Sequence, residues 1–203
     1  MKPMSTEASS PAKKQGAAQV QNTNGRKPVG GKEKVSKTLN ELFVEELRNI
    51  YSAELQLLEA LPEMAKAAYS EDLQDAFEFH HQQTKRQVER IEKIADRLRM
   101  SKMEESTCKA MQWLIAECVQ VIERFEESPV RDSALIIGAQ KIEHYEIASY
   151  GSLRELADVL GYAKIAELLD RTLEEEETID KNLNLIAQDI NDDAYELEHE
   201  KVY

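Results

Sequence analysis

The sequence predicts an all-α protein: a bundle of four long helices with an additional shorter helix between the second and the third. Leu, Ala, Glu, Lys and Arg dominate the composition, and Gly and Pro are scarce outside the first 35 residues. From residue 36 onward, apolar residues recur at i, i+3, i+4 and i+7, which is the period of one helix face. Together these two observations predict amphipathic helices packed around one core.

The N-terminal stretch 1–35 differs in composition from everything that follows it. It is rich in Ser, Gly, Gln, Asn and Lys, shows no hydrophobic period and carries a net charge of +5, whereas the rest of the chain carries −18. We therefore predict a disordered basic extension over 1–35, a bundle over 36–189 and an acidic C-terminal tail over 190–203. A bundle that acidic should repel nucleic acid and anionic membranes, so we expect neither as a partner.

The first predicted helix begins at a cap supplied by Ser36 or Thr38 and follows an apolar stripe for about seven turns. Glu54 lies on that stripe, where a core residue is expected. Pro62 should kink or shift the helix, which then resumes through a run of helix-favouring residues. An acid on a core stripe is the informative feature of this helix.

The second predicted helix begins at Ser70, and polar residues interrupt its core face at mid-length. His80, Thr84 and Gln87 occupy positions on the apolar stripe, and Gln83 flanks them. A single histidine on such a stripe is more often a hydrogen-bonded core residue than a metal ligand. Four charged residues are placed on the solvated side of this helix: Lys85, Arg86, Glu89 and Arg90.

The third predicted helix, residues 108–125, supplies core and shows no chemistry of its own. Cys118 is interpreted as a small buried hydrophobe and Cys108 as a surface or boundary residue. Ten helical residues separate the two thiols by about 15 Å, so they can neither form a disulfide nor share a metal ion. Two cysteines that cannot pair are typical of a protein of the reducing cytoplasm. Since no apolar run reaches the roughly 18 to 20 residues of a spanning helix, we also expect a soluble protein.

The fourth predicted helix starts at Ser128 and Pro129, an N-cap followed by a proline in the first turn, and stops at Gly161. Glu143 and Glu146 replace apolar residues on its core stripe. The two carboxylates are three residues apart, so both belong to one face of the helix.

The fifth predicted helix begins near Tyr162 and repeats the same feature. Within the acidic run 174–177, Glu176 alone lies on the core stripe, and the other three acids are placed on a solvated face. Asp180, one turn further on, is close enough to share the layer of Glu176. Each long helix thus carries polar core residues near its middle.

This mid-length polar layer predicts a cation. Desolvating an ionised carboxylate costs several kcal/mol unless an opposite charge compensates it, and at least four acids meet in this layer. Without a cation, such acids would hold protons at strongly raised pKa values. Oxygen-rich ligation with some imidazole suits iron or manganese, and bridging carboxylates are consistent with a dinuclear centre.

Five segments of the sequence resemble the YciF-like bacterial stress proteins of the ferritin-like superfamily over roughly residues 39–188. The resemblance implies a ferritin-like, rubrerythrin-like bundle that forms a homodimer, is associated with stress responses and holds a di-iron centre. The matching segments are YSAELQLLEALPEMAKAA, CKAMQWLIAE, ESPVRDSALI, QKIEHYEIASYGSL and TLEEEE.

The superfamily pattern places a Glu on each of two helices and Glu-x-x-His on each of the other two. Here neither Glu-x-x-His motif is intact, because Gln83 stands where an acid is expected and Ile179, not a histidine, lies three residues after Glu176. A neutral amide is a weak ligand, which leaves one metal position loose and weakens catalysis more than binding. The candidate ligands implied by the pattern and the residues together are Glu54, His80, Gln83, Glu143, Glu146, Glu176 and Asp180.

Three aromatic residues are expected near this layer without ligating a metal. His144 points about 100° away from Glu143 on the helix, so it should orient a carboxylate or contact Tyr51 or a neighbouring helix. Tyr51 or Tyr150 is a candidate hydrogen-bond partner or electron donor to the centre.

Two functions remain open on the sequence. The first is a metal-binding stress protein whose iron or manganese centre reacts with peroxide or oxygen, as a ferroxidase or peroxide scavenger does. The alternative is a non-catalytic oligomeric bundle that acts through protein contacts, with its buried acids paired to His80, Gln87 or a cation such as Arg48 or Lys141. A storage cage is a weaker third hypothesis, because the chain lacks a recognisable assembly signature.

Overall fold

The structure is a computed structural model, and it describes residues 37–100, 103 and 107–200. The predicted extension 1–35 lies outside the described residues. The described part contains helices and no strand, and its third helix is much the shortest, which confirms the predicted class. The helices are α1 (Leu39–Ala67), α2 (Glu71–Arg97), α3 (Lys109–Arg124), α4 (Pro129–Val159) and α5 (Ala163–Glu200).

The four long helices form a closed bundle in which α1 packs along α2 and α4 packs along α5. Contacts of α1 with α4 and of α2 with α5 complete the ring, and α3 lies against α1 and α4. The core contains fully buried side chains from each long helix, among them Phe43, Phe77, Leu135 and Leu169. Burying each of these stabilises the fold by about 1.5–3 kcal/mol, so the bundle has a large apolar frame around its polar layer.

Helix α1 begins at a reciprocal capping box. The Thr38 hydroxyl accepts the N–H of Glu41 at 3.2 Å, and the Glu41 carboxylate accepts the N–H of Thr38 at 2.7 Å. The helix then continues through Pro62 to Ala67. The buried side chains of Leu61 and Met64 flank the proline, and their packing offsets the hydrogen bond that the proline cannot donate.

The start of α2 is capped from a distant part of the chain. Ser70 is its N-cap residue, but the Ser70 side chain makes no capping hydrogen bond. Instead, the buried carboxylate of Asp132 on α4 accepts the N–H groups of Tyr69 at 2.9 Å and Ser70 at 2.7 Å. The neighbouring Arg131 donates to the carbonyl of Ala67, so the start of α4 closes the turn between α1 and α2.

Helix α3 approaches α4 very closely at Gly138. A β-carbon at this position would lie 2.6 Å from the Cys118 Sγ, a distance that real contacts essentially never show. Cys118 is buried there, as the sequence predicted, and burial raises the pKa of its thiol to about 11. The absence of a side chain on Gly138 is therefore what sets the spacing between these two helices.

The ends of α4 and the start of α5 match the predicted signals. The Ser128 hydroxyl accepts the N–H of Arg131 at 3.3 Å, and Gly161 adopts a φ of 77°, in the left-handed region that commonly ends a helix. Helix α5 continues through most of the acidic stretch that follows residue 189, and Ile190 within it is buried. No helix in the described residues is both long and apolar enough to cross a membrane.

Candidate metal centre

Four buried side chains from three helices meet at the middle of the bundle. His80 on α2, Glu143 and Glu146 on α4 and Glu176 on α5 each offer one ligand atom, and these atoms lie within 4.8 Å of one another. The His80 Nδ1 lies 3.3 Å from the Glu143 Oε1, and its Nε2 lies 3.8 Å from the Glu176 Oε2. We call these four residues the carboxylate cluster.

Glu54 of α1 lies beside the carboxylate cluster and is fully buried. Its Oε1 accepts the hydroxyl of Tyr150, while its Oε2 has no hydrogen-bond partner in the described part of the chain. The charge of Glu54 acts on both His80 and Glu146. Of the two candidate tyrosines, Tyr150 thus contacts the layer, whereas Tyr51 donates to Glu92 at 3.1 Å.

The glutamines of α2 differ in their contacts. Gln83 is buried and its amide oxygen has no hydrogen-bond partner among the described residues. Gln87 donates to the Glu176 carboxylate and also to Glu175 at 3.3 Å. Thr84 turns back to its own helix, donating to the His80 carbonyl at 3.1 Å. Gln87 therefore positions one carboxylate of the cluster.

Asp180 and His144 lie outside the carboxylate cluster. The Asp180 Oδ1 is 3.3 Å from the His144 Nε2 and accepts the Gln140 amide at 3.3 Å. The side chain of His144 is 69% exposed, which rules it out as a buried ligand in this structure. His144 contacts a neighbouring helix through Asp180, one of the roles that the sequence predicted for it.

The carboxylate cluster has far more acceptors than donors. Buried oxygens of Glu54, Glu143, Glu146 and Glu176 have no hydrogen-bond partner in the described part of the chain, and for Glu146 this holds for both oxygens. Buried polar atoms are normally paired, so such a concentration indicates a missing positive partner. A divalent cation would supply that partner, and the residues present fit one.

Electrostatics within the layer leads to the same conclusion. Burial raises the pKa of Glu54 to about 7 and that of Glu143 to about 8. Burial and neighbouring carboxylates raise the pKa values of Glu146 and Glu176 well above the ordinary range, while burial lowers the pKa of His80. In the metal-free protein these acids therefore keep their protons to a higher pH than ordinary glutamates do, and a bound cation would allow them to ionise.

Arg90 corrects a prediction made from the sequence. It was placed on the solvated side of α2, but it is buried, and its guanidinium donates to Glu175 at 3.0 and 2.9 Å and to Thr172. Glu175 is correspondingly half-buried instead of fully solvated. The signal was present in the sequence, because Arg90 continues the i, i+4, i+7 series of Gln83 and Gln87.

Cys108 corrects a second prediction. This thiol is buried, caps the start of α3 and lies 3.1 Å from the hydroxyl of Tyr145, which accepts the Asn49 amide at 3.0 Å. The backbone N–H of Cys108 donates to Ser52 at 2.9 Å. The sequence carried a signal for this burial, because Cys108 begins the i, i+3, i+7 series of Met111 and Ile115.

The chain is similar to a known protein family over most of its length. The sequence profile of the family described as "Domain of unknown function (DUF892)" matches residues 38–196. The chain belongs to the DUF892 family. This DUF892 chain is 47% identical over 151 residues to Protein YciF of Escherichia coli strain K12, covering 74% of this chain and 91% of YciF.

Solved structures of similar proteins have the same helical fold. The crystal structure of the E. coli stress protein YciF has a TM-score of 0.75 and 45% identity, covering 77% of this chain and 99% of that chain. YcfI from Rhodopseudomonas palustris has a TM-score of 0.70 and 35% identity, covering 73% and 94%. The resemblance to YciF-like proteins and the helical-bundle fold are thereby confirmed.

Proposed function

We propose that this DUF892 chain is a metal-binding stress-response protein that holds iron or manganese in the carboxylate cluster. The observation that carries the proposal is the set of buried carboxylate oxygens without partners that converge on His80. The similarity to a bacterial stress protein supports the physiological setting. The two free cysteines support a reducing compartment, and we place the protein in the cytoplasm.

The proposed ligands are His80, Glu143, Glu146 and Glu176, with Glu54 supplying a further carboxylate for a dinuclear centre. Bound there, iron or manganese would supply redox chemistry toward peroxide or dioxygen. The oxygen-rich set with one imidazole favours these metals over those that prefer thiolates.

The surrounding residues hold these carboxylates in place. Tyr150 orients Glu54, and Gln87 orients Glu176 through its amide. Arg90 fixes Glu175 beside them through two hydrogen bonds, which keeps the Gln87 amide between two carboxylates. Partners of this kind set the orientation of metal-binding groups.

The proposal is tested by metal analysis of protein purified without chelators and then titrated with Fe(II) or Mn(II). We expect uptake of one or two ions per chain. Uptake should also raise the unfolding midpoint, since a ligand present at 100 times its dissociation constant stabilises the native state by about 2.7 kcal/mol. A metal content far below one ion per chain, with no uptake and no change in midpoint, would contradict the proposal.

Substituting one carboxylate of the cluster separates binding from folding. Glu176→Gln should lower the affinity for Mn(II) at least about tenfold, while the metal-free protein keeps or gains stability because a buried acid is removed. Glu174→Gln, two residues away and exposed, is the matched control and should change neither quantity. Affinity is measured by calorimetry and stability by urea unfolding. Equal affinities for the two variants would remove Glu176 from the ligand set.

A second candidate function, contact between protein chains, is favoured by one surface of α3. Val119 is 46% exposed and lines a largely apolar groove of about 300 Å³ between α1 and α3, together with Met64 and Ile122. An exposed apolar groove of this kind is typical of an interface. We propose that a homodimer forms through this surface, whether or not the centre binds metal.

The homodimer is tested with Val119→Glu, which places a charge in that groove. Sedimentation velocity should show a dimer for the unmodified protein and a monomer for the variant. Gln188→Glu, which adds the same charge at an exposed position of α5, should remain dimeric. A Val119→Glu variant that sediments as the unmodified protein does would exclude this surface. A dimer that binds no metal would favour the contact function over the metal function.

A further inference from the structure

A small cavity lies between α2 and α5, directly beside the carboxylate cluster. Its volume is about 30 Å³, and its lining includes Phe77, His80, Ile179 and Leu183. His80 belongs to this lining and also to the cluster, so the cavity and the metal centre share one wall. The other three residues are apolar and buried.

The lining changes from exposed to buried along the cavity. Phe79, which is 57% exposed, and Asn182, which is also exposed, belong to it together with the buried residues. Ala76 of α2 completes the wall and is half-buried. The cavity therefore reaches from the protein surface between α2 and α5 to His80.

The size and polarity of this space limit what enters it. A cavity needs about 10–15 Å³ to hold one water molecule, so this one has room for a diatomic molecule. Apolar cavities stay dry and take up apolar atoms such as xenon. Hydrogen peroxide would have to give up its hydrogen bonds to water, which costs about 1–3 kcal/mol for each unpaired polar group. Dioxygen gives up none.

We propose that this cavity is a binding and entry site for dioxygen next to the carboxylate cluster. Reaction of the bound dioxygen rests on the proposed metal function. Binding of dioxygen in the cavity does not depend on it. Two Fe(II) ions held by the carboxylate cluster and Glu54 would each supply one electron to one dioxygen molecule, which would take up two protons from solvent and leave as hydrogen peroxide.

The first test uses xenon and the metal-free protein, so it is independent of the metal. Crystals pressurised with xenon should show an anomalous peak between Phe77, Ile179 and Leu183. Ala76→Leu, a substitution by another good helix former, should fill the cavity and abolish the peak. Ala148→Leu adds the same atoms at an exposed site on α4 outside the lining and should keep it. Absence of xenon from the unmodified protein would overturn the proposal.

The second test measures oxidation of anaerobically loaded Fe(II) by dioxygen and, separately, by hydrogen peroxide. Ala76→Leu should bind as much iron as Ala148→Leu but react with dioxygen roughly tenfold more slowly. Its reaction with peroxide should slow much less. Equal dioxygen rates in the two variants would overturn the proposal, and so would an equal loss with both oxidants. Failure of every variant to bind iron would instead count against the metal function, with xenon occupancy unaffected.

Leu183→Ala keeps the proposal testable if Ala76→Leu does not fold. Shortening this buried side chain enlarges the cavity. Xenon occupancy should then rise above that of the unmodified protein, and the dioxygen rate should not fall. A loss of xenon from this enlarged cavity would contradict the assignment.

Discussion

Gln83 is the side chain whose identity most affects the proposed centre. It is buried on α2 three residues after His80, and its amide oxygen has no hydrogen-bond partner among the described residues. An amide carries no charge, so it neither adds to the repulsion between the acids nor contributes charge to a cation. An amide here, in place of the acid that the resemblance implies, would lower the affinity of the proposed centre for metal and would also lower the cost of desolvation in the metal-free state.

Gln83→Glu tests both effects, on metal affinity and on the stability of the metal-free protein. An added buried acid should destabilise the metal-free protein by about 1–3 kcal/mol, because another group must be desolvated without a partner. The same change should raise the affinity for Mn(II) about tenfold, since a charged ligand replaces a neutral one. Gln82→Glu, one residue away and exposed, should change neither. Unchanged metal affinity in Gln83→Glu would show that this side chain does not reach the ion.

Helix α3 is held in place by contacts at both its start and its middle. Cys108 ties its first turn to Ser52 and Tyr145, and Cys118 packs against Gly138 of α4. A shorter helix has a smaller apolar face to bury, so individual close contacts matter more to it. We expect the α3–α4 contact to be sensitive to a single methyl group.

Gly138→Ala should destabilise the protein by about 1–3 kcal/mol, because the added β-carbon would overlap the Cys118 Sγ. Gly151→Ala on the same helix is the matched control. Its nearest atom would be the Leu173 Cδ2 at 4.0 Å, so it should be neutral or stabilise by up to about 1 kcal/mol. Urea unfolding measures both. A Cys118→Ala partner should recover part of the loss in a double-mutant cycle, and no recovery would contradict the proposed overlap.

The whole bundle is built around a polar layer that opposes folding when no cation is present. The buried apolar faces of the four long helices stabilise the fold, and the acids at their middle lower the free energy of unfolding. The folded protein holds protons on Glu54 and Glu143, whose pKa values are about 7 and 8, while the unfolded chain releases them near 4.5. The folded state therefore binds more protons than the unfolded state between about pH 4.5 and 8.

Metal-free protein should consequently lose stability as pH rises through that window. His80 opposes this trend below about pH 6.5, because burial lowers its pKa and the unfolded chain then binds a proton that the folded His80 does not. The raised pKa values of the buried glutamates outweigh this effect, since several groups oppose one. Excess Mn(II) should reverse the trend, since deprotonated carboxylates bind it better. Urea midpoints between pH 5 and 8, with EDTA or Mn(II), measure this. Glu143→Gln should flatten the metal-free slope, and an unchanged slope would mean that Glu143 titrates normally.

Sequence periodicity predicted the helices and most of the polar layer correctly. Glu54, His80, Gln83, Glu143, Glu146 and Glu176 were identified because a polar residue on an apolar stripe is visible in one dimension, and all are buried. Asp180 was included on spacing alone, and it faces His144 and Gln140 instead. Helix periodicity places a side chain only to within about one turn. That precision is too low to decide whether Asp180 points into the carboxylate cluster or away from it.

Contacts between distant segments could not be predicted from the pattern. Asp132 caps α2 from α4, Arg90 pairs with Glu175 across two helices, and Cys108 meets Tyr145. Each depends on the relative position of helices, which side-chain packing sets after the helices form. The sequence by itself determined which helices form and which of their faces carry acids, because both follow from local periodicity. Only the tertiary structure decided which acids meet, what orients them and where a cavity reaches His80, because those depend on packing between helices.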